Sequence, residues 1–125
     1  AMIVALGGND YLRGLDPAVS RENLDAILAK AAEADVEVLL VGLTAGANYG
    51  PDFKAEFDGM YAELAAKYNV ALYPSFFAGL LATAGTQDKV LAYMQADGIH
   101  PNAEGVAANV IAIGPMIVEL ADSAR

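Results

Sequence analysis

Apolar residues along this chain fall into two alternating patterns. Three runs of strand length, at residues 2–6 (MIVAL), 36–43 (VEVLLVGL) and 69–76 (NVALYPSF), are rich in Val, Ile and Leu and largely apolar on both faces. A strand needs that character when helices cover its sheet on both sides, as they do in parallel sheets. Between these runs, apolar residues recur at helical spacing. The first predicted helix follows Asp16 as N-cap and Pro17 at its first position, and carries Val19, Leu24, Ile27, Leu28 and Ala31 on one face. A second is predicted over residues 53–68, with Phe57, Met60, Tyr61, Leu64 and Ala65 turned inward, and a shorter third over 88–95. The last begins at Asn102 or Ala103 and runs to residue 122, with Val106, Val110, Ile113, Ile117 and Leu120 expected inside.

Strands alternating with helices predict an α/β fold with a parallel sheet, in a single domain without repeats or linkers. A length of 125 residues, 56% of them hydrophobic, suffices for a real core. Three strands are few, since sheets of this kind usually have about five, and an apolar edge stays exposed unless something covers it. Chemistry in such folds gathers in the loops at the carboxyl ends of the strands. That rule selects GGNDYLRG after the first strand, TAGANYGPD after the second and residues 75–100 after the third.

Charge and composition narrow the function classes. The net charge is −9, from 7 Lys and Arg against 16 Asp and Glu, and no basic face is interleaved with aromatics, so nucleic acid is not an expected partner. With no cysteine there is no disulfide and no thiolate nucleophile, and a single histidine speaks against a metal site. No apolar run reaches the roughly 18 residues of a membrane span, so none is expected. The chain enters its first apolar run at once, as AMIVALGG, without signal-peptide anatomy, which raises the expectation that another segment precedes it.

Candidate chemistry lies in the three loops, each with a plainer reading beside it. His100 stands three residues after Asp97 and just before Pro101, which favours extended backbone at the histidine. Either Asp97 orients His100 as a base, or the two are a turn residue and a hydrogen-bonded surface side chain. In GGND, Asn9 either donates its amide to a developing oxyanion or joins Asp10 in bonding its own turn. Asn48 and Tyr49 matter only if their loop lines a pocket. Phe76, Phe77, Leu80 and Leu81 could cover an apolar substrate, but core packing is the favoured reading. Neither GxGxxG nor GxxxxGK[ST] is present.

Taken together, GGND after an apolar strand and DGIHPN before the final helix resemble two signature blocks of the SGNH, or GDSL-type, hydrolase family. The wider run VALGGNDYLRGLDP…ANYGPDF…DGIHPNAEG is similar to its bacterial arylesterase and acyl-CoA thioesterase branch. The resemblance implies a three-layer, flavodoxin-like parallel sheet, with residues 1–125 as the C-terminal portion of one SGNH domain supplying its last three strands. It implies serine-dependent hydrolysis of small acyl esters, or of thioesters, without cofactor or metal. His100 would be the general base, Asp97 the acid that orients it, and Asn9 the side-chain donor of the oxyanion hole. Gly7 would keep that loop tight, Asp10 would brace it, and Asn48 and Tyr49 would stand near the acyl or alcohol pocket.

The family's nucleophilic serine and a further glycine donor belong to blocks that would precede Ala1. Ser20, Ser75 and Ser123 lie in other contexts: inside a helix, after Pro74 at a strand end, and in the terminal tail. The expected partner is therefore an N-terminal, serine-bearing segment of the same enzyme, cleaved or separately encoded, which would place the MIVAL strand beside the absent first strand. A homo-oligomer is compatible with the sequence, and the resemblance allows a periplasmic or secreted location. The alternatives are a noncatalytic α/β binding or assembly module that keeps the family core, and an unrelated flavodoxin-like ligand-binding domain.

Overall fold

Three strands pair in parallel in chain order: β1 (Met2–Val4), β2 (Val38–Val41) and β3 (Ala71–Tyr73). The computed structural model describes residues 1–124. Register places Val4 opposite Leu40 and Leu40 opposite Leu72, so alternate side chains of neighbouring strands share a face. All four residues of β2 are buried, as its unbroken apolar run requires.

Helices cover both faces, giving a small parallel α/β sandwich. On one face Val4, Val38 and Leu40 pack with Leu24 and Leu28 of α2 (Pro17–Glu33) and with Phe57, Met60, Tyr61 and Leu64 of α3 (Pro51–Tyr68). On the other, Leu39, Val41 and Tyr73 meet Ile113, Met116, Ile117 and Leu120 of α5 (Ala103–Ser123). Caps account for the boundaries. The Asp16 side chain accepts from Ala18 N–H at 2.9 Å with Pro17 at the first helical position, and Asn102 accepts from Gly105 N–H at 3.0 Å. A left-handed Asn69 ends α3.

Tertiary packing departs from the sequence pattern at several places. Two short helices arise where none is predicted: α1 (Gly8–Leu12), within the GGND loop, and α4 (Ala78–Ala84), within SFFAGLLATAG. Of the latter stretch Leu80 and Ala84 become core, while Phe76 and Leu81 stay exposed. The helix predicted over 88–95 is instead a 3-10 segment, Gln87–Tyr93, without a buried residue. It offers no apolar stripe whose burial could stabilise a full α-helix.

On α2, Val19 is exposed and its neighbour Ser20 is buried, with its hydroxyl bonded to Asp10 of α1. The first half of α5 departs from the pattern likewise. Gly105, Asn109 and Leu120 are its buried residues, whereas Val106 and Val110 are 49% and 58% exposed. The cause is close approach to α4: a side chain at Gly79 would come within 2.6 Å of the Ala108 carbonyl, and the Asn109 amide oxygen accepts from Leu80 N–H at 2.8 Å. By length and composition alone α5 would also suffice to cross a membrane. Its packing on Leu39, Val41 and Tyr73 makes it a covering helix of the sheet.

On the side that α5 covers, no β1 residue joins the core around Leu39, Val41 and Tyr73. Ile3, which points to the α5 side, is 46% exposed, and Leu6 beyond it is 53% exposed. The free edge and the outer surface of α5 therefore leave large apolar side chains in water.

Candidate active site

The Asp97–His100 turn is built locally. Gln95 N–H donates to the His100 carbonyl at 2.8 Å, Asn102 N–H to the Tyr93 carbonyl at 2.9 Å, and Met94 pairs with Pro101 in an antiparallel bridge. These bonds close a narrow loop whose tip holds Asp97, a left-handed Gly98, Ile99 and His100. One carboxylate oxygen of Asp97 accepts from the backbone N–H groups of Ile99 (2.9 Å) and His100 (3.0 Å), and the other lies 2.7 Å from the His100 ring Nδ1.

A carboxylate at that distance only accepts, so Nδ1 carries a proton, and in the neutral ring Nε2 then holds the lone pair that can act as a base. The hydrogen bond from His100, reinforced by the two backbone donors, lowers the Asp97 carboxyl from 3.8 to about 2. Asp97 is thus ionised throughout the neutral range and oriented toward the ring. Both side chains are exposed to solvent.

Asn9 is set by a different construction. The chain leaves β1 through Leu6 and turns at Gly7, whose φ of +111° suits glycine alone. A Cβ there would lie 2.2 Å from the Tyr61 hydroxyl, which donates to the Leu6 carbonyl at 2.9 Å. Burial, with Asp10 and Asp58 nearby, pushes the Tyr61 phenol far above its ordinary range, so it remains a neutral donor. From Gly7 the chain winds directly into α1, with Tyr11 N–H on the Gly7 carbonyl and Arg13 N–H on the Asn9 carbonyl. Asp10 accepts from the buried Ser20 hydroxyl of α2 at 3.0 Å. The Asn9 side chain is exposed and has no hydrogen-bond partner among the described residues, so its amide is available to a ligand.

Asn48 and Tyr49 are joined to the same helix. The Tyr11 hydroxyl donates to Asn48 Oδ1 at 2.7 Å and accepts from Gly46 N–H at 2.9 Å. The Tyr49 hydroxyl donates to the Leu12 carbonyl at 3.3 Å, and its ring meets that of Tyr11 edge-on at 5.9 Å. The base of the loop is tied to α3, where Asp58 accepts from Ala45 N–H at 2.7 Å and Lys54 donates to the Ala45 carbonyl at 2.6 Å. Tyr11 went unnoticed in the sequence, and Tyr61 was read only as part of the apolar stripe of α3. The only available signal was an aromatic residue two positions after Asn9 and another within the apolar stripe of α3.

The structure therefore forms two clusters, one joining Asn9, Asp10, Asn48 and Tyr49 around α1 and the other pairing Asp97 with His100. The first lies at the carboxyl ends of the strands, since α1 follows β1 and the Asn48 loop follows β2, while the second stands in the connection between β3 and α5. No hydrogen bond links the two clusters among the described residues. None of the three serines bonds to His100. Ser20 serves Asp10, Ser123 bonds the Leu120 carbonyl, and Ser75 is used through its backbone by Ala78.

Residues 1–108 match the profile of the GDSL-like Lipase/Acylhydrolase family. Esterase TesA of Pseudomonas aeruginosa is 40% identical over 100 residues, covering 80% of this chain and 46% of that protein. Thioesterase 1/protease 1/lysophospholipase L1 of Escherichia coli strain K12 is 37% identical over 101 residues, covering 81% of this chain and 45% of that protein. The chain thus spans about half the length of the curated relatives it matches. Among solved structures, a crystal structure of TesA superposes with a TM-score of 0.78 at 36% identity, over 94% of this chain and 62% of the other. AlinE4, a SGNH-hydrolase family esterase, gives 0.65 at 39% identity, over 94% and 58%.

Proposed function

This chain belongs to the GDSL-like lipase/acylhydrolase family, and on that basis we propose that it is part of a serine-dependent hydrolase of carboxylic esters or thioesters, to which it contributes the Asp97–His100 pair and the Asn9 donor. The observation that carries this reading is the 2.7 Å contact between Asp97 and His100 Nδ1, which leaves Nε2 as the base. The nucleophile is a serine on an N-terminal segment of the same enzyme.

Chemically, the serine hydroxyl attacks the acyl carbonyl while Nε2 of His100 takes its proton. Asp97 stabilises the imidazolium, and the Asn9 amide donates to the oxyanion of the tetrahedral intermediate. His100 returns the proton to the departing alkoxide or thiolate, leaving an acyl-serine. Water, deprotonated by His100, then releases the acid and regenerates the serine. Asn48 and Tyr49 border the space that receives the acyl or alcohol group.

The exposed Ile3, Leu6, Val106 and Val110 support an accompanying segment, because they are large apolar side chains left in water at the free β1 edge and on α5. Relatives about twice as long have the chain to cover it.

The test is intact-mass analysis of the protein recovered from its source, followed by reaction with a phosphonate ester inhibitor. A serine-bearing segment should accompany this chain, on the same polypeptide or a second one. The inhibitor should label that serine, and His100→Ala should abolish both labelling and hydrolysis. A 125-residue chain recovered alone, unlabelled and without activity toward short-chain esters, overturns the proposal. It favours instead a noncatalytic binding or assembly module, the reading that fits the lack of any serine bonded to His100.

A further inference from the structure

Beyond the residues of the reaction, we infer that Tyr11 is a positioning residue, whose hydroxyl clasps α1 to the loop after β2 and thereby sets where Asn9 presents its amide. This rests on the ester-hydrolase reading for the role of Asn9, but the clasp itself stands on geometry alone.

The phenol uses both of its hydrogen-bonding capacities on a single loop, donating to Asn48 Oδ1 at 2.7 Å and accepting from Gly46 N–H at 2.9 Å. Such a hydroxyl is fixed in direction as well as position. The approach is close enough that a Cβ at Gly46 would lie 2.6 Å from the Tyr11 oxygen, so glycine at that position is part of the fit. A second aromatic contact runs the opposite way: Tyr49 of the loop reaches back to the Leu12 carbonyl at 3.3 Å, with its ring between those of Tyr11 and Phe53. Each element therefore grips the other.

Helix α1 has only five residues and no fully buried side chain, so it is held chiefly by the Tyr11 ring against Phe53 and Phe57, by the Asp10–Ser20 bond and by the bonds of the Tyr11 hydroxyl. Asn9 and Tyr11 sit within the same turn and share its backbone bonds, so whatever holds Tyr11 holds Asn9. It follows that Asn48 acts mainly through Tyr11, because its amide oxygen is already engaged.

The experiment combines kinetics of the full-length, serine-bearing protein with amide hydrogen exchange. In Tyr11→Phe, kcat should fall roughly tenfold at nearly constant KM, the response to a misplaced transition-state donor. Asn48→Ala should do the same, Asn48→Asp should restore most of the loss by again offering an acceptor, and the double variant should be no worse than either single one. Exchange should quicken together in residues 8–13 and 44–50 of Tyr11→Phe, with α3 unchanged.

Unchanged exchange in Tyr11→Phe overturns the clasp. Faster exchange with unchanged kcat overturns its role in placing Asn9, as does a strictly additive double variant. A rise in KM alone makes these residues substrate contacts, which also overturns the proposal. Absence of hydrolysis in the parent protein sinks the ester-hydrolase reading instead, and the exchange comparison then still decides the clasp.

Discussion

The Asp97 carboxylate holds His100 at two points: one oxygen lies 2.7 Å from the ring Nδ1, and the other accepts the backbone N–H of the same residue at 3.0 Å. The ring is thus oriented relative to its own main chain by one neighbour three residues away. The pair forms within a single turn and needs no distant element to assemble it.

Separating the two functions of Asp97 tests its role. Asp97→Asn keeps an oxygen for the backbone donors but loses the charge that steadies an imidazolium. In the serine-bearing enzyme it should lower kcat by roughly a thousand- to ten-thousand-fold. Asp97→Ala also removes the acceptors for Ile99 and His100, so it should additionally quicken amide exchange at these two residues. Steady-state kinetics and exchange mass spectrometry separate the two effects.

The low titration point of Asp97 makes a pH prediction. Its folded value of about 2 lies below the ordinary 3.8, so its contribution to stability is complete above the ordinary value. That contribution should be lost progressively as pH falls from near 4 through about 2. A carboxyl-carbon NMR titration should find the Asp97 midpoint near the lower value, and His100→Ala should move it upward, since the imidazole is the largest cause of the shift.

At the other cluster, Gly7 and Tyr61 should prove coupled. Gly7→Ala places a Cβ 2.2 Å from the Tyr61 hydroxyl and a side chain at φ +111°, and should cost about 1–3 kcal/mol. Tyr61→Phe relieves that clash but leaves the Leu6 carbonyl without its donor, at a cost of about 1–3 kcal/mol by itself. In denaturant titrations the double variant should lose clearly less than the sum of the two.

The outer surface of α5 offers a test of what covers it. In the 125-residue chain Val110 is largely exposed, so Val110→Asp should change stability by no more than about 0.5 kcal/mol. If the proposed serine-bearing segment covers this face, the same substitution in the protein that carries the segment should cost about 2 kcal/mol or more, because it buries a carboxylate. Equal, small effects in both proteins argue against coverage of this face.

Much of the fold and part of the site were legible from local pattern. The continuous apolar run of β2, the α3 stripe from Phe57 to Ala65, the cap at Asp16, the start of the last helix at Asn102 or Ala103, and the three-residue spacing of Asp97 and His100 all depend on neighbours close in sequence. Short-range geometry decides such features, so composition and periodicity suffice to find them. Other features waited on the way the helices roll and dock. Burial of Asn109 in place of Val106 and Val110 depends on the approach of α4, a helix that the pattern did not disclose. The bonds from Ser20 to Asp10, from Tyr11 to Asn48 and from Tyr61 to Leu6 join residues 10, 37 and 55 positions apart. Side-chain periodicity tells which residues share a face of one element but not which residue of another element will meet them. The sequence by itself therefore determined the alternation of strands and helices and the local Asp97–His100 turn, while only tertiary packing decided what holds Asn9 in place.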